Sequence, residues 1–205
     1  MLLNAGAAMQ PTPAPPHAAP PPSRWVARWA PLIEPGGTVL DLACGSGRHV
    51  RWLAAHGWRV TGVDRDSAAV QPLRDLAEVV VADLEDGSPW PLPGRRFDGI
   101  VVTNYLWRAL LPWLPAALAP GGVLIYETFA EGHERYGKPS NPAFLLRPGE
   151  LLGAFPGLAV VAFEDGLEAE PARRVQRLVA VAGAADGDAG APPRIGPFAP
   201  RRLLP

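Results

Sequence analysis

The sequence predicts an α/β fold in which a mostly parallel sheet is covered by helices on both faces, a three-layer sandwich. Short apolar runs alternate with segments whose apolar residues recur at helical spacing, and strands separated by helices need crossover connections, which make the strands parallel. The runs are nearly free of polar residues, as is typical of strands buried on both faces. The last two runs have no helical segment between them and are therefore expected to pair antiparallel.

The strand elements are the seven apolar runs. They are predicted over residues 38–43, 59–64, 79–84, 97–104, 123–129, 159–163 and 175–182. The segment 165–173 lies between the last two runs, and we expect it to be the turn of the final hairpin.

The helices are predicted from apolar spacing and from capping residues. Trp25 and Trp29 stand at i, i+4 spacing in a leading helix that packs on the sheet. Gly57 is a suitable C-cap for the next helix, and Asp66 caps a short helix that fails near Pro72. The predicted helices cover residues 23–33, 49–56, 66–71, 106–118 and 150–155.

Composition indicates one globular domain. The 205 residues are 48% hydrophobic and 19% charged, an ordinary balance for a chain with a full core. We expect the domain over 23–182, with a disordered Pro/Ala-rich tail over 1–22 and a flexible Gly/Ala/Pro-rich tail over 183–205. The formal net charge of −1 disfavours nucleic acid as a partner. We expect a monomer or homodimer.

Cysteine and histidine usage excludes two kinds of site. The single cysteine, Cys44, cannot form an internal disulfide, and the four histidines are scattered, so no metal site is expected. No stretch approaches the ~18 apolar residues that span a bilayer. The first nine residues lack the positive charge of a signal peptide. These features predict a cytoplasmic protein without a membrane anchor.

Acidic residues stand at the ends of three successive strands. In open α/β sheets ligands bind outside the carboxyl ends of the strands. Asp41 ends the first strand and is followed by Gly45 and Gly47, which let the backbone approach a ligand closely. Asp64 ends the second strand and suits the hydroxyls of a ribose. Asp83 ends the third strand, and with the apolar residue that follows it could hold the amino group and the ring of an adenine. A dinucleotide fingerprint would require a third glycine where this chain has Val50, which opposes an NAD-dependent oxidoreductase.

The combined pattern resembles the class I S-adenosylmethionine methyltransferases. The matching segments are VLDLACGSGRH (39–49), GVD (62–64), ADL (82–84), FDGIVVTN (97–104) and LAPGGVLIYETF (118–129). The resemblance implies a Rossmann-like, seven-stranded sheet with the last strand antiparallel, and S-adenosyl-L-methionine as cofactor. It implies that Asp41, Gly45 and Gly47 hold the methionine part, that Asp64 binds the ribose, and that Asp83 with Leu84 binds the adenine. The further cofactor-binding candidates are Ala43, Cys44 and Asn104, the last of which could also hydrogen-bond a substrate. Cys44 is interpreted as a packing residue of this loop and not as a nucleophile.

A narrower resemblance lies in residues 126–152, which read YETFAEGHERYGKPSNPAFLLRPGELL. This segment is similar to a group of small bacterial methyltransferases labelled tellurite-resistance-like. Members of that group usually have Asn where this chain has His133, so the chain departs from the group at this position.

The substrate side is expected at the ends of the fourth and fifth strands. The candidate catalytic residues are Glu127, as a base if it faces the cleft, Tyr105 and His133. The irregular segment 130–149 predicts a lid, whose candidate substrate-binding residues are Tyr136, Lys138 and Arg147.

The mixture of cations and hydroxyl groups in this lid indicates a small polar or anionic molecule as methyl acceptor. The alternatives are a methyltransferase acting on RNA or protein, and a non-catalytic S-adenosylmethionine-binding protein. Asn104 does not begin the Asn-Pro-Pro-Tyr motif of DNA and protein amide methylation, because Leu106 and Trp107 stand in that stretch. A nucleobase amine is therefore a poorer candidate for the methyl acceptor.

Overall fold

A computed structural model describes residues 20–183. The predicted tails, 1–22 and 183–205, lie outside the described residues except for 20–22 and residue 183. Within the described part of the chain no helix is long and apolar enough to cross a membrane. That same part contains no cluster of three or more His, Cys, Asp or Glu side chains able to hold a metal ion.

Seven strands form one sheet in the order β3-β2-β1-β4-β5-β7-β6. The strands are β1 (Thr38–Leu42), β2 (Arg59–Asp64), β3 (Glu78–Val81), β4 (Phe97–Thr103), β5 (Leu118–Phe129), β6 (Ala159–Ala169) and β7 (Ala172–Val181). The first five strands pair parallel, whereas β7 runs antiparallel to both β5 and β6. The predicted fold class, a Rossmann-like sheet with its last strand antiparallel, is confirmed.

Helices cover both faces of the sheet. They are α1 (Arg24–Trp29), α2 (Arg48–Ala55), α3 (Ser67–Val70), α4 (Trp113–Ala116) and α5 (Glu150–Ala154). One face packs on α1 and α2 through a core that includes Trp25, Val50 and Leu53. The other face packs on α4 and α5 through a core that includes Leu114 and Leu151. Two cores separated by one sheet define three layers.

The helix predicted over 106–118 is wrong in extent. The structure has a 3-10 turn at Arg108–Leu110 and the single turn of α4, because Pro112 and Pro115 remove backbone donors that a longer helix would need. The fifth strand begins at Leu118 and passes through Gly121 and Gly122, which were predicted to precede it.

The turn predicted over 165–173 is also wrong. The turn is confined to Glu170 and Pro171. The other residues of the segment belong to β6 and β7, which continue as a two-stranded ribbon beyond the point where β5 ends opposite Val175. Arg173 contacts Glu168, and Arg174 contacts Asp165, across the two strands. Cross-strand ion pairs stabilise this ribbon in place of alternating apolar residues. The segment was therefore predicted as a turn because it lacks the apolar pattern of a strand.

Candidate active site

The carboxyl ends of β1, β2 and β4 meet at one edge, where Asp41 is a buried acid. Asp41 lies opposite Gly62 and Val101 in the parallel ladder and is 1% exposed. Its Oδ2 atom has no hydrogen-bond partner among residues 20–183. Burial raises the pKa of Asp41 to about 7, although the nearby Arg48 guanidinium opposes the shift. A bound molecule with a donor group can satisfy this buried acceptor.

The loop after β1 turns through three residues with positive φ. Ala43 and Gly45 both have φ of 54°, and Gly47 has φ of 80°. A side chain at Gly47 would collide with Leu73, so this position requires glycine for space as well as for conformation. Cys44 lies buried beneath the loop, and burial raises the pKa of its thiol to about 12. Its thiol form and burial support the interpretation of Cys44 as a packing residue.

Asp64 binds the loop from the end of β2. Its Oδ2 accepts from the backbone N–H of Gly45 at 2.7 Å, and its Oδ1 accepts from that of Asp66 at 3.0 Å. A carboxylate oxygen has two acceptor sites, so each oxygen retains one for a hydroxyl group. Asp64 therefore fixes the loop after β1 and can still bind a diol such as a ribose.

A cavity of about 330 Å³ opens at the end of β3, at the lower limit for small-molecule sites. Asp83, Leu84 and Trp90 are among its lining residues. Asp83 accepts from the N–H of Glu85 at 2.9 Å and keeps its other oxygen 3.8 Å from the Arg65 guanidinium. An acid beside apolar side chains suits a flat heterocycle with an exocyclic amine, as in adenine.

Asn104 and Tyr105 directly follow the end of β4. Asn104 is exposed with φ of 55°, and its N–H donates to the carbonyl of Glu127 at 2.8 Å. The Tyr105 hydroxyl is buried with no hydrogen-bond partner in the described chain. Burial, then the charge of Glu85, raises the pKa of this phenol above its usual range. Tyr105 is therefore better placed to donate a hydrogen bond than to act as a base.

Glu127 faces the layer that contains α1. It is fully buried, and its Oε2 accepts from Arg177 Nε at 2.6 Å. Its Oε1 accepts from Arg173 Nη2 at 3.3 Å and from the hydroxyl of Ser23 at 3.1 Å. With three donors on its two oxygens, Glu127 is arranged to position its neighbours.

His133 lies in the lid and has both ring nitrogens in hydrogen bonds. Nδ1 accepts from the N–H of Arg174 at 3.3 Å, which places the proton on Nε2, and Nε2 contacts the carbonyl of Lys138 at 3.0 Å. The ring stacks on Phe129 at 4.2 Å between centroids. His133 therefore connects the lid to β7 and to the end of β5.

The candidate substrate-binding residues are exposed on the segment 130–149. Tyr136 and Lys138 are exposed, and Lys138 Nζ donates to Ser140 at 3.3 Å. Arg147 has a side chain that is 72% exposed and lies 3.9 Å from Glu150. The structure places these three on the segment that follows β5, and within residues 20–183 none of them forms a hydrogen bond or ion pair with Asp41 or Asp64.

A buried cluster of hydrogen-bonded side chains, which the sequence did not predict, joins α1, α2, β4 and β5 at this edge. Its members are Ser23, His49, Thr103 and Glu127. Ser23 caps α1, and its N–H donates to His49 Nε2 at 3.1 Å. His49 Nδ1 contacts the hydroxyl of Thr103 at 3.4 Å. Serine before a helix was a recognisable cap signal, but no local pattern indicates that it reaches residues 26 and 104 positions away.

The carboxyl edge of this Rossmann-like sheet thus combines a buried unpartnered acceptor on Asp41, free acceptor sites on Asp64 and a cavity beside Asp83. Comparison with protein families identifies the class, since the model of a methyltransferase domain matches residues 17–152. The chain belongs to this family and is a member of the class I S-adenosylmethionine-dependent methyltransferases, as the sequence predicted.

Two kinds of curated relatives share part of the chain. The trans-aconitate 2-methyltransferase of Paracidovorax citrulli is 42% identical over 97 residues, which are 42% of this chain and 36% of that protein. The ribosomal protein L11 methyltransferase of Burkholderia mallei is 39% identical over 94 residues, 44% of this chain and 31% of that protein. The chain thus spans about a third of the length of these relatives.

Solved structures share the fold. TehB from Haemophilus influenzae superposes with a TM-score of 0.62 at 19% identity, covering 77% of this chain and 61% of that chain. A methyltransferase from Methanosarcina mazei has a TM-score of 0.60 at 18% identity, covering 76% of this chain and 96% of that one.

Proposed function

We propose that this protein transfers a methyl group from S-adenosylmethionine to a small polar or anionic molecule. The observation that carries the proposal is the unpartnered, buried Oδ2 of Asp41 beside a glycine loop. Asp41 suits the ammonium group of the cofactor, because a cation supplies the missing donors and relieves the buried carboxylate. The bound cofactor supplies an electrophilic methyl group on a sulfonium.

The remaining cofactor contacts follow from the strand ends. Asp64 retains an acceptor site on each oxygen for the two ribose hydroxyls, and Asp83 with Leu84 lines the cavity that suits the adenine. The residues proposed to surround the methionine part are Ala43, Cys44, Gly45, Gly47 and Asn104. Each role is proposed from position and chemistry at this edge.

Alignment is proposed to be the main source of catalysis. A neutral amine or hydroxyl acceptor needs a base near its proton, whereas an anionic acceptor does not. Glu127 is held by three donors, both nitrogens of His133 are hydrogen-bonded, and burial makes the Tyr105 phenol a weaker acid. These contacts favour an acceptor atom that arrives without a proton, held in line by the lid and the end of β4.

A small anionic acceptor is supported by charge and by one relative. The lid presents Lys138 and Arg147 to solvent at the edge where the acceptor would enter. The relative from Paracidovorax citrulli is named for trans-aconitate, a small organic anion. The formal net charge of −1 opposes a polyanionic RNA acceptor. Cytoplasmic location and a monomeric or homodimeric state stay predictions.

The cofactor assignment is tested by calorimetric titration with S-adenosylmethionine, S-adenosylhomocysteine and NAD. We expect micromolar binding of the first two and none of NAD. Asp64→Ala should weaken binding at least about tenfold, because it removes a charged acceptor of the ribose and frees Gly45. Asp66→Ala is the matched control, since Asp66 caps α3 with its side chain and should affect stability only. Binding of NAD alone would contradict the proposal.

The acceptor class is tested with a cofactor labelled in its methyl group and a small-molecule extract from bacterial cells. Label transferred to small anions supports the proposal. Label transferred only to added RNA or protein contradicts the acceptor class and leaves the cofactor assignment intact.

A further inference from the structure

We propose that His49 is a positioning residue that holds Ser23, and through it the first turn of α1, as a wall of the methyl-transfer cleft. This inference rests on the proposed function for the identity of the cleft. It assigns roles to two residues at the carboxyl edge of the sheet. His49 lies in α2, just after the loop that follows β1, and Ser23 caps α1.

Every polar group of Ser23 is used to fix the start of α1. Its Oγ accepts from the N–H groups of Trp25 and Val26 at 3.1 and 3.5 Å and donates to Glu127. Its N–H donates to His49 Nε2. A six-residue helix is too short to be stable alone, so its position depends on these contacts and on its packing.

His49 remains a hydrogen-bond acceptor for the Ser23 N–H group near neutral pH. It is 2% exposed, and burial, together with the charge of Arg48, lowers its pKa to about 3. The ring is therefore neutral near pH 7, with its proton on Nδ1 toward Thr103 and a lone pair on Nε2 toward Ser23. A protonated ring would lose that acceptor.

The placement of His49 connects α1 with the cofactor loop. His49 is the second residue of α2 and stands two positions after Gly47. A shift of His49 would therefore move the loop that is proposed to surround the methionine part, because only Arg48 separates the two along the chain. On the other side, Glu127 connects Ser23 to β5, and its backbone carbonyl binds Asn104 at the end of β4. Ser23 thus lies between the loop side and the acceptor side of the cleft.

Trp25 extends the contact onto β7. Its Nε1 donates to the carbonyl of Leu178 at 3.5 Å, and the Arg177 guanidinium lies 5.9 Å from its ring. Since Arg177 also binds Glu127, releasing Ser23 would loosen a wall that is anchored on both β5 and β7.

The test measures two properties, amide hydrogen exchange in residues 24–30 and the affinity for S-adenosylhomocysteine. His49→Leu removes the acceptor and is expected to speed exchange in α1 and weaken affinity, each by about tenfold. His49→Gln places an amide oxygen near the position of Nε2 and should restore both properties to within about threefold. His56→Leu is the matched control, because His56 is exposed at the other end of α2 and should change neither.

A second pair of variants keeps the test decisive if His49→Leu does not fold. Ser23 has φ of −54°, which proline adopts without strain. Ser23→Ala and Ser23→Pro both lack the hydroxyl, but only the proline lacks the N–H that His49 binds. Faster exchange and weaker affinity in Ser23→Pro than in Ser23→Ala support the proposal.

Three results would overturn it. These are unchanged exchange in His49→Leu, failure of His49→Gln to rescue, or faster exchange in α1 with unchanged affinity. If the unmodified protein binds no S-adenosylhomocysteine, the proposed function fails instead, and the exchange data still report whether His49 holds α1.

Discussion

Arg108 and Glu150 form a bidentate ion pair between residues 42 positions apart, with Nε–Oε1 at 2.7 Å and Nη2–Oε2 at 2.9 Å. The same guanidinium donates to the carbonyls of Ala143 and Leu145 at 2.7 and 2.9 Å. Arg108 therefore holds the end of the 130–149 segment, the predicted lid, against the chain that follows β4. The lid is anchored at this end and exposed over residues 134–138.

Replacing Arg108 should release this anchor. We expect Arg108→Gln to lower the free energy of unfolding by about 1–2 kcal/mol, because a partly exposed charged hydrogen-bond set is screened by solvent. Proteolysis within residues 134–145 should become faster. Arg147→Gln is the control, since Arg147 approaches the same Glu150 from solvent and should change stability by less than about 0.5 kcal/mol. Equal effects of the two variants would exclude an anchoring role for Arg108.

The raised pKa of Asp41 predicts a pH-dependent affinity for the cofactor product. A protonated Asp41 cannot pair with an ammonium group, so binding of S-adenosylhomocysteine should weaken about tenfold per pH unit below the pKa of about 7. Calorimetry at pH 6 in buffers of different ionisation enthalpy should detect release of about one proton on binding. Asp41→Asn should bind weakly with no pH dependence between pH 5.5 and 8. A pH-independent affinity in the unmodified protein would contradict the assignment of Asp41.

Protonation of Asp41, which weakens binding of the cofactor product, is expected to stabilise the folded protein when no ligand is bound. The pKa of Asp41 rises from 3.8 to about 7 on folding, so the folded state binds the proton more tightly than the unfolded state. Its contribution to stability is therefore fully present below pH 3.8 and is lost as pH rises to about 7. Asp41→Asn should accordingly raise the melting temperature at pH 8 more than at pH 4, which thermal unfolding at both pH values would measure.

The cofactor side of the site could be predicted from sequence because its signals are local. Asp41, Asp64 and Asp83 each follow an apolar run, and the topology of parallel strands brings such ends to one edge. The grouping of Ser23 with Glu127 could not be predicted, because it depends on how α1 packs across β5. The extension of β6 and β7 around Arg173 could not be predicted because ion pairs, and not alternating apolar residues, stabilise it. A segment that contains charged residues, glycine and proline is as typical of a turn as of a strand.

Glu127 is expected to matter more for stability than for proton transfer. Glu127→Gln leaves Arg173 and Arg177 without their buried counter-charge and should cost about 3 kcal/mol or more. Glu164→Gln is the control, because Glu164 is 49% exposed and also binds Arg177, and it should cost less than about 1 kcal/mol. Urea unfolding measures both.

The rate of methyl transfer distinguishes the two roles of Glu127. If it only positions its neighbours, the rate per folded molecule in Glu127→Gln should fall by no more than about tenfold. Loss of about 100-fold or more, restored at high pH, would instead establish Glu127 as the general base.

The lid cations are expected to act on the acceptor and not on the cofactor. Lys138 is exposed on the segment that follows β5, so Lys138→Ala should raise the KM for an anionic acceptor about threefold to tenfold and leave the affinity for S-adenosylhomocysteine unchanged. The effect should shrink at high salt, because exposed charges are screened. Arg59→Ala removes an exposed cation from the amino end of β2, the opposite edge of the sheet, and serves as the control. If both variants change the KM equally, the lid contributes only net charge; if Lys138→Ala weakens cofactor binding instead, the lid belongs to the cofactor side.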